Sequence, residues 1–103
     1  MKLRYPHFQS PKEMIKALAD KRDTDYEISN HAEKEMMDDC IDLLDIRSAL
    51  LNAEDVFEQD RNGDISYLVI GKDTEERMIS IVIEVEEQPP EIFVITVWKV
   101  KRR

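Results

Sequence analysis

The spacing of apolar residues changes once along the chain. Up to about residue 53 they recur every three to four positions, and from Val56 onward they alternate. Met14, Ile15 and Leu18, with Ala17 beside them, mark one face of a helix over residues 11–21. Its start is set by Ser10-Pro11-Lys12-Glu13, which supplies a capping hydroxyl, a proline at the first helical position and a carboxylate three residues after the cap. The charged run Asp20 to Asp25 ends it, and Tyr26-Glu27-Ile28 fits a short extended segment. A second helix is predicted over 30–39, capped by Ser29 or Asn30, with Glu33 completing a capping box from Asn30. Ala32, Met36 and Cys40 fall four apart on it and form a stripe expected in the core. Asp42, with Asp45 three residues on, begins a third helix that ends near 53 at Asn52. Its rows Leu43, Ile46, Leu50 and Leu44, Arg47, Leu51 predict a broad apolar face.

Four strands are predicted beyond it. Val56 to Gln59 leads into Asp60-Arg61-Asn62-Gly63-Asp64, whose Asn-Gly pair suits a tight hairpin because both residues tolerate positive φ. Ile65 to Gly71 follows, then a polar turn over 72–76. Arg77 to Glu87 puts Ile79, Ile81, Ile83 and Val85 on one face, and Gln88-Pro89-Pro90 breaks it. Ile92 to Val100 is apolar on both faces until Lys99, as for a central strand covered on both sides. The fold class is therefore α+β: two to three N-terminal helices packed on a four-stranded, mainly antiparallel sheet. One domain is expected over 1–103, helical over 11–53 and sheet over 55–101.

Composition narrows the class. With 103 residues, 42% hydrophobic and 37% charged, and only two glycines, the chain has the makings of one folded domain and not of a disordered or collagen-like protein. The single cysteine, Cys40, allows no internal disulfide, and no apolar run approaches the length of a membrane helix. The opening residues lack the apolar run of a secretion signal, so a cytoplasmic protein is expected. The net charge of −8 is unevenly spread. Residues 1–22 carry six basic and two acidic groups, and 99–103 carry four and none. Residues 23–64 carry three basic and fourteen acidic groups, and 65–98 carry two and seven. A fold that joined the basic ends would make a bipolar surface; otherwise the acidic middle is a solvated face beside a basic tail.

Few residues offer chemistry. His31, in the first turn of the second helix, is one of two histidines, and imidazole ordinarily titrates near neutrality. Two roles fit it: proton transfer, or a hydrogen-bonded histidine at a helix start with no chemical duty. Glu35 lies four residues on, on the same side, with Asp38 and Asp39 a turn further. A metal site needs three or four convergent ligands, and the chain has no second histidine-rich element, so no metal or cofactor is expected. The Asp60, Asn62, Asp64, Ser66 series is not a calcium loop, since Gly71 stands where a bidentate glutamate belongs. Cys40 reads as structural. Arg47 and Arg77 are isolated cations in acidic surroundings that either pair with a carboxylate or bind phosphate. Trp98, Phe93 and Tyr67 fit core aromatics better than base-stacking platforms.

The run Ile28-Ser29-Asn30-His31-Ala32 through Met36-Met37, then Ile41 and Ile46, Tyr67-Leu68-Val69-Ile70-Gly71-Lys72-Asp73 and Ile95-Thr96-Val97-Trp98, resembles a bacterial domain-of-unknown-function family. It is similar in size and element order to the BrnT and RelE toxins. This chain has Glu35 and Asp39 where the family pattern usually carries arginines. The resemblance implies an RNA-cleaving toxin of a type II toxin–antitoxin pair that drives a ribose 2′-hydroxyl onto the adjacent phosphate without metal. On that reading His31 is the general base or acid, Arg77 or Lys99 the phosphate clamp, and Thr96 and Tyr67 orienting groups. His31 and Thr96 match positions of the family pattern; Arg77, Lys99 and Tyr67 follow from residue type and location. The expected partners are RNA, an antitoxin protein and a second copy of the chain, with no membrane. The alternative is a catalytically silent module whose acidic residues Glu35, Asp38, Asp39, Asp42 and Asp45 dock a basic partner protein.

Overall fold

A computed structural model describes residues 8–100. Its elements are α1 (Pro11–Asp20), β1 (Asp25–Ile28), α2 (Asn30–Asp39), α3 (Leu43–Leu51), β2 (Ala53–Arg61), β3 (Asp64–Lys72), β4 (Met78–Glu86) and β5 (Glu91–Lys99). The three helices are capped locally. Ser10 accepts from the Glu13 amide, Ser29 from the Ala32 amide, and Asp42 with Asp45 forms a reciprocal capping box. The cap of α2 is thus Ser29, and Asn30 is its first residue.

Among the described residues the sheet has five strands in the order β1-β5-β4-β3-β2, where four were expected. The extra one is the Tyr26 segment, which pairs parallel to β5 from Asp25↔Glu91 to Ile28↔Val94, so the sheet is mixed. Four residues with two apolar side chains carry little strand signal alone; pairing with β5 makes them a strand. The remaining pairs are antiparallel. The two-residue loop between β2 and β3 has Asn62 at φ 56° and Gly63 at φ 90°, the left-handed pair that the Asn-Gly sequence anticipates, and the Asp60 carboxylate accepts from the Gly63 amide.

One face of the sheet meets the helices. Val69, Ile79, Ile81, Ile83, Val94 and Val97 are fully buried there against Met14, Ile15 and Leu18 of α1 and Ile46 and Leu50 of α3. A Cβ on Gly71 would stand 2.2 Å from the Ala49 carbonyl oxygen, so glycine sets how closely α3 lies on β3. The opposite face carries Phe57, Leu68, Val82, Phe93 and Trp98, exposed or half-buried, so β5 is covered on one side and not on both. Leu44 is 66% exposed, and the broad apolar face expected of α3 narrows to Ile46, Ala49 and Leu50. Cys40 also leaves the expected core stripe. The helix ends at Asp39, and Cys40 takes a left-handed φ of 54° at the C-cap, which carries its side chain to the surface.

Candidate functional site

The site begins where β1 stops. β1 pairs with β5 only as far as Ile28↔Val94, so among the described residues the second half of β5 has no strand on that side. An open edge leaves its amides and carbonyls in need of partners. Helix α2 lies along this edge and supplies them from its side chains. The Ser29 hydroxyl donates to the Ile95 carbonyl at 2.7 Å, Glu35 Oε1 accepts from the Val97 amide at 3.1 Å, and Asp39 Oδ2 accepts from the Lys99 amide at 3.3 Å. Glu35 and Asp39, four apart on one helix face, thus match alternate amides of a strand two apart. The structural work of these two carboxylates is to close the sheet.

A bulge sharpens the arrangement. Between β4 and β5 the register passes from Ile83↔Val94 to Val82↔Thr96, leaving Ile95 unpaired. Such an extra residue redirects neighbouring side chains, and the Thr96 hydroxyl donates a short hydrogen bond to Glu35 Oε1. His31 completes the cluster: its Nε2 lies 3.4 Å from the same oxygen, with the imidazole side 71% exposed and Glu35 26% exposed. An accessible imidazole beside a carboxylate held from behind by Thr96 and Val97 is suited to taking or giving a proton to a bound molecule.

The structure thus brings His31 and Thr96 together through Glu35. Lys99 stands three residues beyond Thr96, about 10 Å along the strand, and lines a shallow pocket with Glu76, Arg77, Met78 and Val100. Arg77 is otherwise engaged. Its Nε is 2.7 Å from Asp73, its Nη2 is 3.2 Å from Glu75 and 3.8 Å from Asp45, and Nη2 also donates to the Cys40 carbonyl at the end of α2. The hydrogen bond to Asp73, aided by the surrounding carboxylates, holds its guanidinium even more firmly charged than usual. Tyr67 lies elsewhere, 2% exposed in the middle of β3 opposite Ile83.

Behind Arg77, Asp45 is buried at the start of α3 and accepts from the Thr74 amide and hydroxyl as well as the Asp42 amide. Burial pushes its carboxyl up, but the hydrogen bonds from Thr74 and Asp42 outweigh that and hold it below the ordinary carboxylate range. This knot ties the β3–β4 turn to both helices and fixes the end of α2. His31 and Thr96 stand out in the sequence, whereas the edge-capping role of Glu35 and Asp39 is signalled there only by their spacing of four directly after a strand.

Among the described residues no group of three or more His, Cys, Asp or Glu is placed to hold a metal ion, and no helix is long and apolar enough to cross a membrane. No curated protein matches the chain. The family described as a domain of unknown function, DUF4258, matches residues 28–99, from the last residue of β1 to the last of β5, and so takes in the edge that α2 closes and the whole His31 cluster. The chain belongs to the DUF4258 family.

Proposed function

We propose that the protein is a metal-independent endoribonuclease, acting as the toxin of a type II toxin–antitoxin pair. One observation carries the reading: His31 is exposed and meets a carboxylate that Thr96 and the Val97 amide hold in place. In the proposed reaction His31 takes the proton of a ribose 2′-hydroxyl, O2′ bonds to the adjacent phosphorus, and the bond from phosphorus to the 5′-oxygen of the next nucleotide breaks. The 5′-oxygen leaves with a proton supplied by solvent, His31 returns its own proton to solvent, and the products are a 2′,3′-cyclic phosphate and a 5′-hydroxyl with no water consumed. Glu35 positions the imidazole, whose Nε2 lies 3.4 Å from its Oε1. Lys99 is assigned to offset the charge that builds on phosphate in place of Arg77, which three carboxylates hold. Tyr67 takes no step.

The test is cleavage of single-stranded RNA in the presence of a chelator. Cyclic-phosphate products that disappear in Glu35→Gln and His31→Ala, with native circular dichroism in both, support the reading; no cleavage above background overturns it. Expression should arrest growth, and coexpression of a neighbouring small gene product should relieve the arrest.

A second reading draws on another observation. A pocket of about 210 Å³ at the other end of the sheet is ringed by Glu27, Asp64, Glu84, Glu86 and Glu91 over an apolar floor of Ile92 and Phe93. That chemistry fits docking of a basic, partly apolar partner protein. Growth unaffected by expression, together with capture of such a partner and loss of capture on charge reversal at Glu84 and Glu86, favours this module over the nuclease.

A further inference from the structure

The fold gathers cations that are far apart in sequence. β2 begins, β3 ends, β4 begins and β5 ends at one edge of the molecule, and the first turn of α1 is tied there by a 3.1 Å hydrogen bond from Lys12 Nζ to the Glu54 carbonyl. Lys12 and Lys16, four apart on α1, and Lys72, at the end of β3, line a groove of about 590 Å³. Glu76 lines both this groove and the shallow pocket of Lys99, so the two run together.

We infer that Lys12, Lys16 and Lys72 form a phosphodiester track that holds a single nucleic-acid strand leading toward Lys99. Three observations support it. The carboxylates of this end are largely committed elsewhere, since Asp45, Asp73 and Glu75 gather on Arg77. Glu54, Asp73 and Glu76 line the groove, yet Asp73 is paired with Arg77, and among the described residues none of the three lysines lies within ion-pair distance of a carboxylate. The positive end of the α1 dipole adds to the same field, and the five-carboxylate pocket at the far end repels a polyanion, so a strand can approach from one side only. Spaced ammonium groups along an open groove suit a chain of phosphates better than one compact anion.

The inference rests on the ribonuclease reading for the strand being RNA, but not for its binding. The probe is a fluorescently labelled 2′-O-methyl oligoribonucleotide, which lacks the attacking hydroxyl, followed by anisotropy over a range of salt. Binding should weaken with salt. Each phosphate neutralised on a single strand adds about 0.7 to the slope of log K against log salt, so the double variant Lys16→Gln/Lys72→Gln should lower that slope by about 1.4. Arg61→Gln, at the hairpin end of β2 and outside the groove, should bind with the parent's slope. An unchanged slope in a folded double variant overturns the track, as does absence of binding at low salt, which would assign these cations to an acidic protein surface. Salt-dependent binding lost in the double variant, with no cleavage of ordinary RNA by the parent, keeps the track and removes the nuclease.

Discussion

Replacing Glu35 by alanine removes the acceptor for the Val97 amide and the Thr96 hydroxyl together. Val97 is fully buried, so its amide is left at a sheet edge with little access to water. A hydrogen bond to a charged acceptor is worth about 1.5–3 kcal/mol net when buried. Glu35 is 26% exposed, which moves each bond toward or below the lower figure. The expected loss is about 2 kcal/mol, or roughly 10 °C in Tm for a domain of this size. Glu35→Gln keeps a carbonyl oxygen at the same reach and should recover more than half of that. Urea denaturation gives the free energies, and amide hydrogen exchange locates them: the Val97 amide should exchange much faster in Glu35→Ala, while Lys99, held by Asp39, changes little. A loss below about 0.5 kcal/mol, or an unaltered Val97 exchange rate, refutes the view that α2 closes the sheet with its carboxylates.

Gly71→Ala places a Cβ 2.2 Å from the Ala49 carbonyl, forces α3 away from β3 and should cost about 3 kcal/mol by urea titration. Asp45 is held below its ordinary range, so its contribution is fully present above the unfolded carboxylate pKa near 4 and is lost as pH falls through the lower folded value. Urea midpoints from pH 6 downward should therefore decline more steeply in the parent than in Asp45→Asn, which starts about 1–3 kcal/mol less stable. Among the described residues the buried Tyr26 hydroxyl has no hydrogen-bond partner, and burial raises its pKa while Arg47 opposes the rise. Tyr26→Phe should be neutral or stabilising by up to about 1 kcal/mol, measured by the same titration.

The helices were legible because their signals are local: a proline after Ser10, an Asp42–Asp45 pair and an apolar period near four need no knowledge of the rest of the chain. The Asn62-Gly63 hairpin was legible for the same reason. β1 carries little strand signal because its partner lies more than sixty residues away, and Cys40 falls outside its helical stripe because helical spacing says nothing about where the helix stops. At the site, His31 stands out by residue type and position alone. The role of Glu35 depends on β1 ending one residue before α2's cap, so that the amides of β5 are bare where the helix passes. The sequence charges leave open whether the basic segments meet; of the described residues in those segments, Lys12, Lys16 and Lys99 lie at one end of the sheet together with Lys72, while Lys2, Arg4 and Lys101 to Arg103 lie outside the described residues.

The functional account turns on one imidazole, and the most direct measurement is the identity of the RNA ends left by purified protein in excess chelator, compared between the parent and His31→Ala. The account predicts 2′,3′-cyclic phosphate and 5′-hydroxyl ends from the parent and at least a hundredfold slower appearance of them from the variant, in line with the usual worth of a general acid or base of about 10²–10⁴. Equal rates from the two proteins, or ends bearing a 5′-phosphate, would contradict it.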